Sequence, residues 1–300
     1  MRTFSYQNKK QSNYFEGWYV RLSDVEKHIN IAIIFAITKD KSHPHSFIQY
    51  YDGTKKEAFY YEFSVDAFGY DETSHTITIG KSFFSLRQLY LTTDDVTIEA
   101  KTEEPMLLQP YKGHQSAMGY LENAPLECFQ EIIYLDAKAT FTIDGTSYHG
   151  KAYMEKTYGT NFPNKWIWLQ SNHSKQGSKL TFSVGMVPVL FFRVKGFFLI
   201  YHHNGKDHRF GSYNLAKITI NQVSHNETTF TIKHRKTRIV ITATTHKPVR
   251  LVGPRKNGTM DLDVFESLTA TATMQVFHKQ ELVFEDQYTN VGLELMFDKK

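Results

Sequence analysis

Thr140-Phe141-Thr142-Ile143-Asp144-Gly145 is the stretch that decides the fold class. Threonine alternates with apolar side chains, and an Asp-Gly pair follows at once. Because successive side chains of a strand point to opposite faces, this alternation predicts a strand with one wet and one dry face. Asp-Gly is a preferred pair for the tight turn of a β-hairpin, so the strand is expected to end there and a second strand to follow.

The same alternation recurs along the whole chain. It is found at residues 76–79, 217–220, 229–232, 238–241 and 270–276. Further hairpin signals are Asp52-Gly53, Asn204-Gly205 and Asn257-Gly258. Long helical periodicity is nearly absent, so many short strands at regular spacing predict an all-β protein built from antiparallel barrels or sandwiches.

Two runs lack this alternation and carry apolar residues on both faces, residues 29–37 and 191–201. Strands that are packed on both faces have this composition, as would be found where two barrels meet. The second run contains Arg193 and Lys195, which leaves contact with a membrane surface as an alternative. The strand period favours the buried interpretation.

Composition excludes several classes of protein. The net charge of +4 over 300 residues is small, and the basic residues form no concentrated face, which argues against a nucleic-acid partner. The single cysteine, Cys128, allows no internal disulfide and fits a reducing compartment. The first residues lack the apolar run of a secretion signal, and the apolar stretch 184–201 is too interrupted for a spanning helix. We therefore expect a soluble, cytoplasmic protein, of unknown oligomeric state.

The first strand carries the first candidate for chemistry. In an extended chain Tyr14, Glu16 and Trp18 share one face. Lipocalin barrels typically hold a first-strand tryptophan inside the barrel, and Glu16 would then also point inward. A carboxyl in a dry, aromatic cavity favours its neutral form, so Glu16 is a candidate general acid.

A second set of candidates lies past residue 150. Glu155 shares a strand face with Tyr153 and is the second candidate acid. The next predicted strand places two indoles and two amides on one face, which suits the apolar wall and polar mouth of a ligand site. These lining candidates are Trp166, Trp168, Gln170 and Asn172, and Trp18 and Tyr153 join them as ligand-site candidates from the strands that carry the two glutamates.

Each candidate also has a purely structural interpretation. A glutamate beside a barrel tryptophan can simply bind backbone amides or an arginine, and the two indoles can simply be core. Both carboxyls inside one dry cavity would favour an enzyme. Carboxyls paired with arginine outside such a cavity would favour a carrier.

Metal and nucleotide sites are not predicted. His43 and His45 form one cluster and His202, His203 and His208 another, but their spacings fit no established zinc pattern. The chain contains no phosphate-binding glycine loop and no nucleophile elbow.

A short internal echo suggests two related halves. Tyr14-Phe15-Glu16-Gly17-Trp18-Tyr19 opens the chain, and Tyr153-Met154-Glu155-Lys156, followed by Trp166-Ile167-Trp168, lies in the second half. We expect a boundary at the Asp144-Gly145 turn, with domains at residues 1–145 and 146–300.

Several of these motifs together resemble the tocopherol cyclase family. The similarity includes the segment around Glu16, Pro125-Leu126-Glu127-Cys128-Phe129, the block from Gly150 to Pro163, and the segment from Trp166 to His173. Matching motifs continue to Gly292-Leu293-Glu294, in the family's order. The resemblance implies two lipocalin-like (calycin-type) antiparallel β-barrel or sandwich domains packed together, as in carotenoid hydratase-type proteins.

The resemblance also implies an activity. A tocopherol cyclase-type isomerase protonates the alkene of a prenylated quinol, and the phenol closes a chromanol ring, with no metal or organic cofactor. Tyr19 and Glu127 join the ligand-site candidates through this resemblance. Two alternatives stay open: a non-catalytic carrier or sensor of a hydrophobic isoprenoid, and an acid-catalysed hydratase of an isoprenoid double bond.

The chain departs from the family pattern after Cys128. Phe129-Gln130 stands where Tyr-His is usual, Leu126 where Met is frequent, and Tyr158 where Trp is usual. If that histidine carried a proton, Gln130 could not replace it, because an amide does not titrate. The departure bears on activity more than on fold.

Overall fold

The computed structural model describes residues 4–7, 13–114, 116–189, 192–255 and 258–297. The chain divides into two compact units. Unit 1 contains residues 1–116, 128–162 and 251–263, and unit 2 contains residues 117–127, 163–250 and 264–300. The predicted all-β class is confirmed, and each unit is built on one large antiparallel sheet.

Within the described residues, eleven strands form the sheet of unit 1. They are β1 (Phe15–Asp24), β2 (Ile29–Thr38), β3 (His45–Asp52), β4 (Glu57–Phe63), β5 (Phe68–Asp71), β6 (Thr76–Ile79), β7 (Ser82–Phe84), β8 (Gln88–Thr92), β9 (Thr97–Glu103), β10 (Cys128–Ile143) and β11 (Thr146–Gly159). Their order is β4-β3-β2-β1-β11-β10-β9-β8-β7-β6-β5. Consecutive strands are therefore neighbours except for β4 and β5, which lie at the two ends of the order, and β1 pairs with β11 between them.

The second sheet contains the remaining described strands and lies in unit 2, except for residues 251–263, which belong to unit 1. They are β12 (Trp166–Ser171), β13 (Lys179–Val189), β14 (Phe192–His203), β15 (Lys206–Gly211), β16 (Lys217–Val223), β17 (Glu227–His234), β18 (Thr237–Thr244), β19 (Val249–Pro254), β20 (Met260–His278) and β21 (Glu281–Leu295). Their order is β15-β14-β13-β12-β21-β20-β18-β17-β16, and β19 pairs with β20. Short 3₁₀ turns occupy Val65–Ala67, Gly119–Asn123 and Ser212–Asn214.

Local sequence explains most of these elements. Every alternating stretch predicted above lies in a strand, and Asp144-Gly145 forms the turn between β10 and β11 with both φ angles positive, 49° and 81°. Asn204-Gly205 does the same between β14 and β15. Asn257 and Phe191 lie outside the described residues.

Each sheet buries one face in an apolar core. Side chains in the core of unit 1 include Trp18, Phe35, Ile48, Phe84 and Phe141. The core of unit 2 includes Ile167, Leu169, Phe182, Phe230 and Met274, with the Phe182 and Phe230 rings stacked 4.1 Å apart. Burial of one such side chain contributes about 1.5–3 kcal/mol to folding.

The division between the units falls later than the boundary expected at residue 145. β11 belongs to unit 1 because it hydrogen-bonds β1 on one side and β10 on the other. The two segments of the internal echo are therefore neighbours in one sheet, with Trp18 opposite Lys156 and Tyr19 opposite Glu155.

Residues 251–263 return to unit 1 from the far end of the sequence. The Gln49 side chain holds this segment as a strand partner would: its Nε2 donates to the Val252 carbonyl at 2.7 Å, and its Oε1 accepts from the Val252 amide at 2.9 Å. Thr38 Oγ1 also donates to the Gly258 carbonyl at 2.7 Å. Two short side chains thus fix a late segment to early strands.

None of the helices in the described part of the chain is long and apolar enough to span a membrane.

Candidate functional site

An ion cluster lies on the core-facing side of unit 1. Lys156 Nζ is 3.3 Å from Glu16 Oε1 and 3.2 Å from Glu131 Oε2, and we call these three residues the inner ion cluster. The β1–β11 and β10–β11 registers place all three on one face, the face that also carries Trp18. Glu16 and Lys156 are fully buried, and Glu131 is 4% exposed.

The inner ion cluster is closed by the start of the chain. The Gln7 amide donates to both Glu16 oxygens at 3.0 Å, and the Ser5 carbonyl accepts from Lys156 Nζ at 2.9 Å. The Phe4 carbonyl accepts from the Trp18 indole N–H at 3.0 Å. Residues 4–7 therefore bind the inner face through their backbone.

Glu16 is held tightly by its neighbours. Burial raises the pKa of Glu16, and this is opposed by Lys156, by the Tyr14 hydroxyl that donates to Oε2 at 2.7 Å, and by the Gln7 amide. Burial beside this carboxyl also raises the pKa of Tyr14. Both Glu16 oxygens already accept hydrogen bonds. This arrangement holds the Lys156 ammonium in place and gives a ligand little access to the Glu16 carboxyl.

Glu155 lies on the opposite face of the same sheet. Its Oε2 accepts from the Tyr153 hydroxyl at 2.6 Å, and its Oε1 accepts from Gln130 Nε2 at 2.8 Å. We call Glu155, Tyr153 and Gln130 the outer carboxyl cluster. The ring of Tyr19 lies 6.5 Å from that of Tyr153 in an edge-to-face arrangement. Although this face points away from the core of unit 1, Glu155 is only 5% exposed.

The structure therefore separates the two candidate acids. Adjacent residues of a strand face apart, so Glu155 and Lys156 project to different sides of β11. Glu16 lies on the inner face with Lys156, and Glu155 lies on the outer face with Tyr19. The two carboxyls do not share one cavity.

The lining candidates of unit 2 also share a face that points away from their core. Ile167 and Leu169 enter the core, so Trp166, Trp168 and Gln170 project to the other side of β12. They are nevertheless at most 5% exposed, and Asn172 is 3% exposed. The Trp166 indole N–H donates to Glu294 Oε2 on the neighbouring strand β21. Glu127, in contrast, is exposed.

Several residues of these clusters were not foreseen from the sequence. Glu131, Lys156 and Glu294 are placed by strand register over long separations, which local patterns do not reveal. Gln130 had been noted only as a departure from the family, and it contacts Glu155 directly. The departure from the family pattern at Gln130 was the sequence signal that could have indicated this contact with Glu155.

A small cavity lies in the core of unit 1, with none of the inner ion cluster residues in its lining. The cavity bounded by Val20, Phe84, Tyr134 and Met154 has a volume of about 10 Å³. That is room for roughly one water molecule, far below the hundreds of Å³ of a ligand pocket.

The histidine clusters differ from each other. His202 pairs with Asp207 at 2.8 Å, while His203 packs on Phe284 and His208 stacks on Tyr201. His43 and His45 converge with Glu62, a grouping described further below.

Two antiparallel sheets, each with its own core, define the class: this is a two-domain, lipocalin-like β protein. The tocopherol cyclase-like family model matches residues 108–295, and the chain belongs to that family. The match includes Gln130, Tyr153, Glu155 and the lining candidates of unit 2. It confirms the resemblance found in the sequence motifs.

Solved structures with the same fold are distant in sequence. A Nitrosomonas europaea protein with a provisional AttH assignment is 13% identical, with 93% of this chain and 91% of that chain covered and a TM-score of 0.52. Kievitone hydratase from Nectria haematococca is 11% identical, with 94% and 89% covered and a TM-score of 0.50. CghA is 9% identical, with 97% and 90% covered and a TM-score of 0.59. No curated protein sequence matches the chain.

Proposed function

We propose that this protein catalyses proton-initiated addition to an isoprenoid double bond, with Glu155 as the proton donor. The observation that carries the proposal is the outer carboxyl cluster, a buried Glu155 oriented by Tyr153 and Gln130 within the family-matched segment. Family membership favours a prenylated quinol as substrate and a chromanol as product. A cyclase would then be an intramolecular lyase, an isomerase.

The proposed reaction consumes no net proton. Glu155 gives its proton to one alkene carbon, and the π electrons form the new C–H bond, which leaves a tertiary cation on the other carbon. The phenol oxygen then bonds to the cation, and the phenol proton returns to the Glu155 carboxylate. Because the acid is regenerated by its own substrate, Gln130 need only donate its hydrogen bond at 2.8 Å and need not carry a proton.

Aromatic rings and exclusion of water protect the cation. An aromatic face within about 6 Å stabilises a cation by about 0.5–2 kcal/mol. In unit 1 Tyr19 lies on the face of Glu155, so its ring is a candidate for this role. Burial of Glu155 limits access of bulk water, which would capture the cation first.

Glu16 is the weaker candidate acid. Its carboxyl lies 3.3 Å from the Lys156 ammonium, a charge that opposes protonation of Glu16 and therefore its use as a proton donor. We assign Glu16 to stabilising the inner ion cluster. The turnover assay described below for Glu155 also tests this assignment. Trp18 belongs with it in the core, while Trp166, Trp168, Gln170 and Asn172 are proposed as ligand contacts of unit 2.

Substitution of Glu155 tests the proposal. The full chain is incubated in D₂O with a prenylated hydroquinone, and the product is analysed by mass spectrometry. We expect chromanol with one solvent deuterium, and we expect Glu155→Gln to reduce turnover by at least about 10²-fold, because general acid catalysis contributes about 10²–10⁴-fold. Glu103→Gln changes an exposed carboxylate on β9 of the same unit and should leave turnover unchanged.

Each other outcome identifies a different function. A Glu155→Gln variant that cyclises normally would exclude Glu155 as the acid. A product heavier by one water would show capture by water and therefore a hydratase. Tight binding without deuterium incorporation by the unsubstituted protein would show a carrier.

A further inference from the structure

A cluster of metal-ligand groups lies on the outer face of unit 1, away from the clusters described above. His45 begins β3, His43 precedes it by two residues, and Glu62 lies near the end of β4. In the β3–β4 register Phe47 is opposite Glu62. Ile48, the residue that follows Phe47, enters the core, so Phe47 and Glu62 face the other side. His45 and Glu62 therefore project together to the side away from the core.

The geometry of the three groups suits one ion. One ligand atom from each of His43, His45 and Glu62 lies within 4.8 Å of the others, with His43 Nε2 at 2.7 Å from Glu62 Oε1. The two imidazole rings are 4.7 Å apart. Pro44 restricts the backbone between the two histidines, which limits how far their side chains can separate.

His45 is already set as a ligand. Its Nδ1 lies 2.8 Å from the His43 carbonyl, and a carbonyl can only accept, so Nδ1 carries the proton. In the neutral imidazole Nε2 then presents a lone pair, here toward the Tyr60 hydroxyl at 2.6 Å. An N–H bonded to a backbone carbonyl is the usual outer-shell arrangement of a metal-bound histidine, because it fixes both tautomer and ring orientation.

We propose that His43, His45 and Glu62 bind a divalent transition metal ion of the zinc class. Two imidazoles and one carboxylate are the donor set that Zn²⁺ and its neighbours prefer, whereas Mg²⁺ and Ca²⁺ prefer oxygen donors alone. The fourth position belongs to a water molecule hydrogen-bonded to Tyr60. Among the residues that the structure describes, only His43, His45 and Glu62 form a group of three or more histidine, cysteine or carboxylate side chains close enough to share an ion.

Binding requires only small movements. Zinc–nitrogen bonds of about 2.0–2.1 Å place tetrahedral ligand atoms roughly 3.3 Å apart. His43 Nε2 and Glu62 Oε1, at 2.7 Å, would therefore open slightly, and any pair wider than that would close. The His43 and Glu62 side chains are 63% and 47% exposed, so both can shift, while the buried His45 supplies the fixed point.

The ion would fasten an edge of the sheet. β4 is the terminal strand of the order in unit 1, and the His43 segment is the turn that leads into β3. A ligand that binds only the folded state stabilises it by mass action, so the ion would raise the unfolding temperature of unit 1.

The test is calorimetric titration of the tag-free, chelator-treated full chain with ZnCl₂. We expect one Zn²⁺ per chain, and an affinity at least about tenfold weaker in each of His43→Ala and Glu62→Gln, a loss of about 1.4 kcal/mol or more. These residues are exposed, so neither change should impair folding. His202→Ala is the matched control, because it removes a histidine that also pairs with a carboxylate, and its affinity should stay within about twofold.

A second measurement uses Co²⁺ in place of Zn²⁺. Visible absorption of bound Co²⁺ should appear with the parent and His202→Ala and be lost with His43→Ala. No saturable binding by the parent would overturn the proposal. So would binding that His43→Ala or Glu62→Gln leaves unchanged.

Discussion

Lys156→Met should leave two buried carboxylates without their shared cation. Lys156 Nζ lies 3.3 Å from Glu16 and 3.2 Å from Glu131, and the three side chains are at most 6% exposed. At an effective dielectric constant of about 20, each pair attracts by about 5 kcal/mol. The cost of removing the charges from water offsets much of this attraction. Removal of one partner leaves that cost uncompensated, so the free energy of unfolding should fall by about 3–5 kcal/mol at pH 7.

Urea denaturation in a Trp166→Phe/Trp168→Phe background measures this loss in unit 1. The chain has three tryptophans, and the remaining one, Trp18, lies beside the inner ion cluster. With a slope of about 2 kcal/mol per molar, the midpoint should fall by about 1.5–2.5 M. Lys138→Met is the control: its pair with Glu104 is exposed, so the midpoint should not change measurably.

The loss should also depend on pH. Burial already raises the pKa of Glu16, and removal of Lys156 raises it further. Below the unfolded pKa of about 4.3 Glu16 is protonated in both the folded and the unfolded state, so the loss of unfolding free energy in Lys156→Met is small there. The loss grows as pH rises through the folded pKa of Glu16 in the parent. A deficit under about 1 kcal/mol at pH 7, or one that is the same at pH 4 and pH 7, would refute the reasoning.

Two further predictions concern single side chains. Gln130→His replaces the amide that donates to Glu155 at 2.8 Å with a titratable ring, so the pH profile of turnover should gain an ionisation near pH 6–7. Initial rates across pH 5–9 check this, and an unchanged profile would contradict it. Burial opposes ionisation of Asp286, but hydrogen bonds from Ser178 and the Gln176 amide hold its pKa below the usual range. That stabilisation is present above about pH 3.9, the unfolded pKa, and is lost as pH falls through the lower pKa of Asp286 in the folded state. Asp286→Asn should therefore lower the free energy of unfolding by about 1–3 kcal/mol at pH 7 and by much less near pH 2. Urea denaturation at the two pH values measures both.

The sequence predicted the strands well because strand signals are local. Alternation over four to eight residues and an Asn-Gly or Asp-Gly turn depend on side chains that are neighbours in the chain, as at Thr140 to Gly145. The family motifs added the two-domain class, which periodicity alone could not distinguish from other all-β folds.

The candidate site was predicted only in part, because its contacts are long-range. The sequence showed that Glu155 and Lys156 face apart, but not which of them shares a face with Glu16; that follows from the pairing of Trp18 with Lys156. Glu62 joins His43 through the register of β4 on β3, which no histidine spacing encodes. The expected division at residue 145 rests on a hairpin turn and stays a prediction, because no local pattern shows that β11 pairs with β1.

The pairing of β1 with β11 has a consequence for biosynthesis. One side of β1 meets β2 within a few residues, but its other side waits for partners that run from Gly159 back to Lys151. At about 5–20 residues per second, that wait lasts on the order of 7–30 s, during which an open strand edge can pair with another nascent chain. Residues 251–263 arrive later still. A gene fragment ending at residue 145 would therefore encode an open-edged sheet without Lys156, not half of a working protein.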